Sequence, residues 1–337
     1  MRIDSFEVVQ MKRRISGVLS AIGLILLILD AKTGLAGAKD GIELCIMTVI
    51  PSLFPFFVLS TLLTAMLTGT RLKLLRPVGK LCKMPEGTES LLLIGLVGGY
   101  PTGAQTVMQA YESGALRKEQ AQRLLGFCSN AGPAFIFGIC GSLFPERWIV
   151  WLLWAVHILS ALVVGVILPG IQEEGRQCKT APHLSLPQAL DRALKTCARV
   201  CGWVILFRII IAFFKERIVS PIGSIWTILI SGLLELTNGC CQLFAIKNIG
   251  LRFLLVSVFL AFGGICVMMQ TASVIGKHGL GNYIRGKVLQ TVVAVLICLL
   301  VQFLFFPVEW KIQINPLLML FPTIFLLLYI IKYEKKE

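Results

Sequence analysis

Long uncharged apolar runs restrict the fold of this chain more than any other feature. Runs of about 20 residues or more lie between flanking charges at 44–70, 90–111, 124–145, 148–172, 253–276, 288–308 and 312–331. An α-helix rises about 1.5 Å per residue, so about 20 apolar residues cross the hydrocarbon core of a bilayer. Only 15% of the residues are charged, against roughly 25% in soluble domains. The runs predict an all-α polytopic membrane protein and exclude a water-soluble enzyme, a disordered chain and a secreted disulfide scaffold.

Two apolar stretches are interrupted at their centres by helix-breaking residues. Residues 90–111 contain Gly98-Gly99-Tyr100-Pro101-Thr102-Gly103, and proline with several glycines breaks a helix. Residues 222–247 contain a comparable interruption at Glu235-Leu236-Thr237-Asn238-Gly239. A broken backbone at membrane depth is tolerated only where protein buries it or where it lines a cavity. We therefore predict two re-entrant helical hairpins.

The basic residues predict how the chain crosses the membrane. Lys and Arg number 32 against 18 Asp and Glu, and most of them fall on the cytoplasmic side if the N-terminus is cytoplasmic and both hairpins return to the side they left. This orientation explains the positive charge without nucleic acid, which we do not expect as a partner. It predicts about eight transmembrane helices, at 15–29, 44–67, 124–143, 148–169, 200–214, 252–275, 288–306 and 316–331.

Two segments beside these helices have mixed polarity. Residues 30–43 and 186–199 alternate charged with apolar residues, which is typical of amphipathic helices at the membrane interface. Ala36-Gly37-Ala38 resembles a signal-peptidase site. Removal of the first helix therefore stays open beside the uncleaved helix that we prefer.

The order of elements occurs twice along the chain. Helix, hairpin, broken helix and helix follow one another in 41–170 and again in 200–306, with later breaks at Asn130-Ala131-Gly132-Pro133 and Phe262-Gly263-Gly264-Ile265. The first unit begins outside and the second inside, which predicts an inverted repeat and places a solute site at the repeat interface. Coincidental use of glycine is the alternative. The remaining segments are a first helix with an interfacial segment (1–40), a cytoplasmic loop with an amphipathic helix (171–199), and a last helix with a basic tail (307–337).

Polar side chains near the breaks are the candidate substrate-binding residues. Polar groups in a membrane are costly and face a cavity or another helix, so a hydrogen bond between helices is the alternative role for each. Helix arms that start near Gly103 and Gly132 would also present backbone N–H groups, which attract anions. The candidates are Thr102, Gly103, Gln105, Ser129, Asn130, Arg208, Glu235, Asn238, Gln242, Gln270 and Thr271.

Arg208 and Glu235 differ from the other candidates because they carry charge inside apolar segments. An unpaired arginine in hydrocarbon costs several kcal/mol. Arg208 therefore either pairs with Glu235 as a structural ion pair, which we slightly prefer, or binds an anionic substrate as a bidentate carboxylate clamp.

Catalytic, metal and cofactor chemistry is not indicated by the sequence. The 11 cysteines lie mostly inside apolar runs and the chain has only 3 histidines, with no spacing typical of a zinc site. No acid–base pair, nucleophile–histidine set or phosphate loop is present, so we expect neither an enzyme nor a bound cofactor.

Three ordered motifs resemble a known family. Ile50-Pro51-Ser52-Leu53-Phe54-Pro55-Phe56-Phe57, Gly98-Gly99-Tyr100-Pro101-Thr102-Gly103-Ala104 and Cys128-Ser129-Asn130-Ala131-Gly132-Pro133 resemble the sporulation integral membrane protein family (YlbJ-like), also called the stage V sporulation protein of the outer forespore membrane. The second half keeps only Thr237-Asn238-Gly239 and Gly263-Gly264. The resemblance implies a nucleoside-recognition (Gate) domain and a carrier that moves dipicolinic acid toward the forespore.

Residues and resemblance together predict a carrier of a small organic acid that works by alternating access. Spacing alone indicates only a small polar or anionic solute, and the resemblance supplies dipicolinate. A carrier of nucleosides or other small solutes is the first alternative, and a sporulation membrane organiser that transports nothing is the second. The expected partners are the solute and the lipid bilayer. A homo-oligomer or other sporulation membrane proteins are left open.

Overall fold

The computed structural model describes residues 5–170, 184–214 and 224–311. Throughout these ranges the secondary structure is helical and no β-strand occurs. The α-helices are α1 (Ser5–Leu29), α2 (Ala31–Leu44), α3 (Ile50–Leu67), α4 (Arg76–Leu81), α5 (Glu89–Val97), α6 (Thr102–Glu112), α7 (Lys118–Leu125), α8 (Pro133–Gly138), α9 (Arg147–Ile167), α10 (Leu186–Phe214), α11 (Ser224–Leu234), α12 (Leu236–Gln242), α13 (Ile249–Phe262), α14 (Gly264–Ile275) and α15 (Gly281–Phe305). A π-helix spans Cys45–Val49, and 3-10 turns lie at Lys73–Leu75, Cys140–Leu143, Leu243–Ala245, Gly276–His278 and Val308–Trp310.

In the described part of the chain, 5 helical segments are long and apolar enough to cross a membrane. They are Ala31–Leu67, Arg147–Ile167, Leu186–Phe214, Ile249–His278 and Gly281–Phe305. They match the predicted crossings at 44–67, 148–169, 200–214, 252–275 and 288–306. The crossing at 316–331 lies outside the described residues, and the apolar part of α1, Ser20–Leu29, is shorter than a crossing. A polytopic helical membrane protein is therefore supported, while the number of eight crossings stays a prediction.

The segments expected at the membrane interface belong to longer helices. Helix α2 continues through the π-helix into α3, so residues 30–43 begin the Ala31–Leu67 segment. Residues 186–199 form the first half of the unbroken helix α10. The expected domain boundaries at 40/41 and 199/200 consequently fall inside helices. Amphipathic patterning predicted helices here correctly, but it could not show that each continues into the neighbouring apolar run.

Two glycines on α2 let that helix pack closely against α10. A Cβ atom at Gly37 would lie 3.0 Å from the Cα of Ile209 and 2.9 Å from the Cβ of Ala212. A Cβ at Gly41 would lie 2.9 Å from the Cα of Ile205. Small residues at such contacts bring helix backbones together, which is the main source of helix association in lipid.

The first predicted hairpin contains two helices, α5 and α6, joined at residues 98–101, while its return to the same side of the membrane stays a prediction. The arms pack against each other, and Gly95 and Gly103 both lie against the backbone carbonyl of Cys128. A side chain at either glycine would displace this carbonyl, so the hairpin is seated directly on the chain that follows α7.

The second hairpin also forms, but its break is shorter than the sequence suggested. Helix α11 ends at Leu234 and α12 starts at Leu236, so only Glu235 is non-helical. Thr237 and Asn238, which we expected in the break, lie in the first turn of α12. The arms meet where Gly239 lies on the Cα of Gly232.

Both predicted helix breaks outside the hairpins are present. Residues 126–132 separate α7 from α8, so the predicted crossing at 124–143 is not one helix and contains only the end of α7, the short helix α8 and the turn Cys140–Leu143. Between α13 and α14, Gly263 and Gly264 have φ angles of +80° and +78°. Two successive left-handed residues are readily adopted only by glycine.

Two arginines donate hydrogen bonds to carbonyl groups at helix ends. Arg123 donates to the carbonyls of Cys82 (2.8 Å), at the end of α4, and Gly165 (2.6 Å), near the end of α9. Arg252 donates to Ile246 (3.0 Å) and to Leu143, which end 3-10 turns in opposite halves of the chain. Cations near helix C-termini supply the hydrogen bonds that these carbonyls lack.

The α2–α10 contact gives a stability prediction. Replacing Gly37 with Leu forces a side chain into the space that the backbone of α10 occupies. Overpacking of this kind lowers the free energy of unfolding by about 1–3 kcal/mol. The matched control is Gly202→Leu, because Gly202 lies on α10 with no atom within 4 Å of its added Cβ. We expect Gly37→Leu to lower the melting temperature in detergent and Gly202→Leu to leave it unchanged. Equal melting temperatures for both variants would contradict the close packing of α2 on α10.

Candidate functional site

The tips of both hairpins, the break before α8 and the helix α14 line one inner chamber. The first hairpin contributes Gly98, Gly99 and Tyr100, and the chain before α8 contributes Ala131 and Gly132. The second hairpin contributes Glu235, Leu236 and Thr237, and the arm α14, after the Gly263–Gly264 break, contributes Val267 and Gln270. Residues of α3 and α10 complete the wall. The predicted convergence of the breaks on one cavity is therefore present.

The inner chamber is small and mostly apolar. Its volume of about 60 Å³ is enough for a few water molecules. Leu53, Phe56, Phe57 and Phe135 supply much of its surface, and Glu235 is the charged residue among those that line it. An aromatic solute would fit only if one wall moved outward.

A larger cleft adjoins this chamber and is much more polar. It has a volume of about 350 Å³, and Val200 and Gln270 line both spaces. We call this cleft the vestibule. One wall is α6, which contributes Thr102, Gln105, Thr106 and Gln109. Three further threonines, from α3 and its C-terminal end, also line the vestibule: Thr61, Thr64 and Thr68. A further space of about 600 Å³ shares Gln105, Gln109 and Arg199 with the vestibule.

The second wall of the vestibule carries three cations that the sequence reasoning did not select. Arg192, Lys195 and Arg199 lie on the first half of α10 and all line the cleft. Lys195 pairs with Asp191 at 2.7 Å on the exposed surface of the same helix. Arg192 and Arg199 are exposed, and guanidinium groups are well suited to bind carboxylates. Their spacing along one helix was the signal, because residues i and i+7 lie on the same helix face.

Four of the predicted site residues line these cavities. Thr102 and Gln105 line the vestibule, Glu235 lines the inner chamber, and Gln270 lies where the two spaces meet. Gln270 is buried at 5% exposure and donates to the Sγ of Cys266 at 3.4 Å. Gln270 therefore lies, with Val200, at the junction of the chamber and the vestibule.

The candidates of the first half that do not line a cavity serve the packing of the hairpin. Gly103 permits close contact with the Cys128 carbonyl, and its N–H donates to Gly99 at 3.3 Å. Ser129 and Asn130 are both fully buried. The expected anion site near Gly132 is also partly occupied, because the Ala131 N–H donates to Nε2 of His157 at 3.0 Å.

In the second half, Glu235 is a helix cap. Its carboxylate accepts from the N–H groups of Thr237 (2.9 Å) and Asn238 (2.6 Å) at the start of α12. The oxygen of the Asn238 side chain accepts from Gln242 at 3.3 Å, and Thr271 is fully buried. The carboxylate of Glu235 therefore occupies the helix end that would otherwise attract an anion.

Arg208 does not pair with Glu235 as we had preferred. One guanidinium nitrogen lies 3.8 Å from Oδ2 of Asp40 on α2. Asp40 is exposed and lies in the segment 30–43 that we expected at the membrane interface, so no sequence pattern placed it beside α10. The packing of α2 against the second half of α10 creates this pair. Arg208 is also not among the residues that line the chamber or the vestibule, so the structure does not favour the clamp role.

A buried polar cluster behind the chamber escaped the sequence reasoning. Lys287 on α15 is 0% exposed and donates to Gln290 (2.7 Å) and Tyr100 (3.0 Å). Gln290 in turn donates to Oδ1 of Asn130 at 3.0 Å. We had counted Lys287 as a cytoplasmic loop charge because it ends the apolar run 288–308. Arg285 and Gly286 precede Lys287, so its local sequence carries no signal that it is buried.

Metal coordination is not indicated by the described residues. Among them, no group of three or more His, Cys, Asp or Glu side chains could hold a metal ion. The cysteines in these ranges are free thiols.

Comparison with known proteins gives one informative similarity. The chain is 26% identical over 289 residues, covering 71% of this chain and 70% of the relative, to the sporulation integral membrane protein YlbJ of Bacillus subtilis (strain 168). No family model matches the chain, and no solved structure matches it. The similarity and the five apolar helices support a multi-pass integral membrane protein that is similar to a sporulation protein. The Gate domain stays a prediction.

The cavities predict which introduced thiols react with solvent-borne reagents. Gln105 is exposed and lines the vestibule, whereas Ser129, also a predicted site residue, is buried at 0%. We expect Gln105→Cys to react rapidly with a sulfonated thiol reagent and Ser129→Cys to react no faster than the wild-type protein. Mass spectrometry of the labelled, folded protein measures both rates. Equal rates for the two variants would contradict the solvent access of Gln105 and the burial of Ser129.

Proposed function

We propose that this protein is a membrane carrier for a small organic acid, and that the acid is dipicolinate crossing the outer forespore membrane during sporulation. One observation carries the proposal: a polar vestibule with a cationic wall leads to the chamber where the helix breaks meet. Discontinuous helices that meet inside the membrane are typical of transporter binding sites. The similarity to a sporulation membrane protein supports the biological setting.

The charges of the vestibule favour an anion. Arg192 and Arg199 are two turns apart on α10, and Lys195 lies between them. The planar fork of a guanidinium binds a carboxylate through two parallel hydrogen bonds. Lys195 is already paired with Asp191, so the two arginines are the stronger candidates for a dicarboxylate.

The opposite wall favours a solute with further hydrogen-bonding groups. Thr102, Gln105 and Gln109 on α6 face the cleft with donors and acceptors but no charge. Gln270 then leads to aromatic and aliphatic surface in the inner chamber. A flat ring with polar edges matches this change from a polar entrance to an apolar interior, since pockets typically combine apolar walls with a few polar groups.

The sizes of the two cavities indicate which conformational change transport requires. The vestibule of about 350 Å³ can admit a small aromatic acid, but the chamber of about 60 Å³ cannot. Movement of a hairpin tip relative to α3 and α10 would widen the chamber. Rocking of one repeat against the other around a central site is the usual means of alternating access.

A nucleoside carrier is the second candidate, and one observation favours it. Glu235 lines the inner chamber, and a carboxylate accepts hydrogen bonds from hydroxyl and amino groups but repels a dianion. A neutral nucleoside could pass this residue without a change of charge. The charge of Glu235 in the chamber therefore favours a neutral nucleoside over a dianion, whereas the uncharged polar wall of the vestibule suits either solute.

Uptake into vesicles tests the proposal. Purified protein in liposomes should take up labelled dipicolinate with saturation, and unlabelled dipicolinate should compete better than adenosine or uridine. Protein-free liposomes are the control. Preferred competition by nucleosides would favour the second candidate. Absence of saturable uptake and of solute exchange for both classes would contradict a carrier.

The cationic wall gives a quantitative prediction. A hydrogen bond to a charged group contributes about 1.5–3 kcal/mol, so Arg199→Gln should weaken dipicolinate binding about tenfold or more. Arg192→Gln should act in the same direction. Lys80→Gln is the matched control because Lys80 is exposed and lies on neither cavity. Calorimetric titration in detergent measures the three affinities, and an unchanged affinity in both arginine variants would remove the cationic wall from the site.

A further inference from the structure

Lys287 is a fully buried ionisable residue for which the carrier account above gives no role. The residue lies in the first half of α15, in a segment apolar enough to span a membrane, and is 0% exposed. Its ammonium group donates to Oε1 of Gln290 at 2.7 Å, Oη of Tyr100 at 3.0 Å and Oδ1 of Asn130 at 3.4 Å. We call these three oxygens the oxygen cage.

The cage connects parts of the molecule that belong to different elements of the site. Tyr100 lies at the tip of the first hairpin and lines the inner chamber. Asn130 lies in the break between α7 and α8, and Gln290 lies on α15 itself. Gly286 allows this part of α15 to contact the backbone of Gly126, which brings Lys287 against the break. The ammonium group therefore holds both first-half breaks to α15.

The other groups around Lys287 supply no negative partner in the described structure. The rings of Tyr100 and Tyr283 lie 5.0 and 5.8 Å from the Nζ atom. His157 on α9 contributes its carbonyl to Gln290 and accepts from the Ala131 N–H, and the Cys128 thiol lies nearby. A cation surrounded by neutral oxygens and aromatic faces is bound as a dissolved monovalent cation would be, through oxygen dipoles.

We propose that Lys287 carries the proton that is transported together with the acid. Transporters that use a dissolved ion bind it among oxygen atoms at broken helices, and here the amine of Lys287 already occupies such a place. The proposal rests on the carrier function above and names its coupling ion. It predicts that sodium is not needed, because its position is filled by a residue of the chain.

The proton and the anion favour each other because their charges are opposite. With Lys287 protonated, the cage is formed, the tip of the first hairpin is held in place and the chamber beside Tyr100 is more positive. Each ligand then raises the affinity for the other, as linkage requires. When the tip moves away, the Nζ–H bond breaks heterolytically, the electron pair stays on nitrogen and the proton passes to water in the opened chamber. The free amine then returns without a proton and takes one from water on the side from which the next acid molecule binds.

Solute accumulation in liposomes tests the coupling ion. A gradient of one pH unit, acid outside, should raise dipicolinate accumulation up to about tenfold per proton carried, since one unit corresponds to about 1.4 kcal/mol. Replacing sodium with choline should have no effect. A wild-type protein that ignores the pH gradient, or that needs sodium, would overturn the proposal.

Two variants connect the coupling to Lys287. Lys287→Met keeps the length of the side chain but cannot carry a proton, so the pH gradient should no longer raise accumulation. Exchange of labelled for unlabelled dipicolinate without a gradient should still be measurable, because Lys287 does not line the chamber or the vestibule, but it should need a higher dipicolinate concentration because the protonated amine no longer raises the affinity. Lys277→Met, an exposed lysine in the turn before α15, is the control and should keep the full response.

Each outcome separates this proposal from the carrier function. If the wild-type protein shows neither uptake nor exchange, the carrier function fails. If exchange occurs but Lys287→Met still responds to the pH gradient like the wild-type protein, only the role of Lys287 fails. Should Lys287→Met not fold, Tyr100→Phe keeps the ring and removes one oxygen of the cage. That variant should change the pH at which uptake is half-maximal, and an unchanged value would contradict the cage.

Discussion

An interrupted helix in a bilayer leaves backbone N–H and C=O groups that lipid cannot satisfy, and this constraint organises the whole molecule. Such groups must be buried in protein or face water in a cavity. The chain satisfies the constraint by bringing both hairpin tips, the break before α8 and the helix α14 to one chamber. Glycine makes this possible, because Gly95, Gly103 and Gly239 each lie directly on a neighbouring backbone. The chamber is thus a structural consequence of the breaks.

Positive charge has two different roles around this chamber. Arg192 and Arg199 are exposed in the vestibule, where water reduces their fields and a solute can reach them. Lys287 is enclosed by neutral oxygens behind the chamber wall, where no solute contacts it. The first kind of cation suits recognition of an anion. The second suits a charge that changes during the transport cycle, because a buried charge depends strongly on the few groups around it.

Sequence patterns predicted the breaks well because their causes are local. Clusters of glycine, proline and polar residues interrupt a helix through local geometry, so the positions near Pro101, Gly132, Glu235 and Gly263 could be found without a structure, although the isolated Pro55 lies inside α3. Tertiary contacts could not be found in this way. Arg208 lies beside Asp40 only because α2 packs against α10, and Lys287 resembled a loop residue because it ends an apolar run. Charge counting finds the ends of apolar runs, but it cannot show which end is buried against another helix.

A cryo-electron microscopy structure with dipicolinate bound tests the central claim most directly. The account predicts ligand density between the two hairpin tips, in contact with Gln270, in a chamber wider than the present volume of about 60 Å³. The carboxylates should point toward the arginines of α10 or toward the hydroxyl and amide N–H donors of the α6 side chains. Density at a lipid-facing surface, with the hairpin tips apart and no ligand between them, would contradict the account.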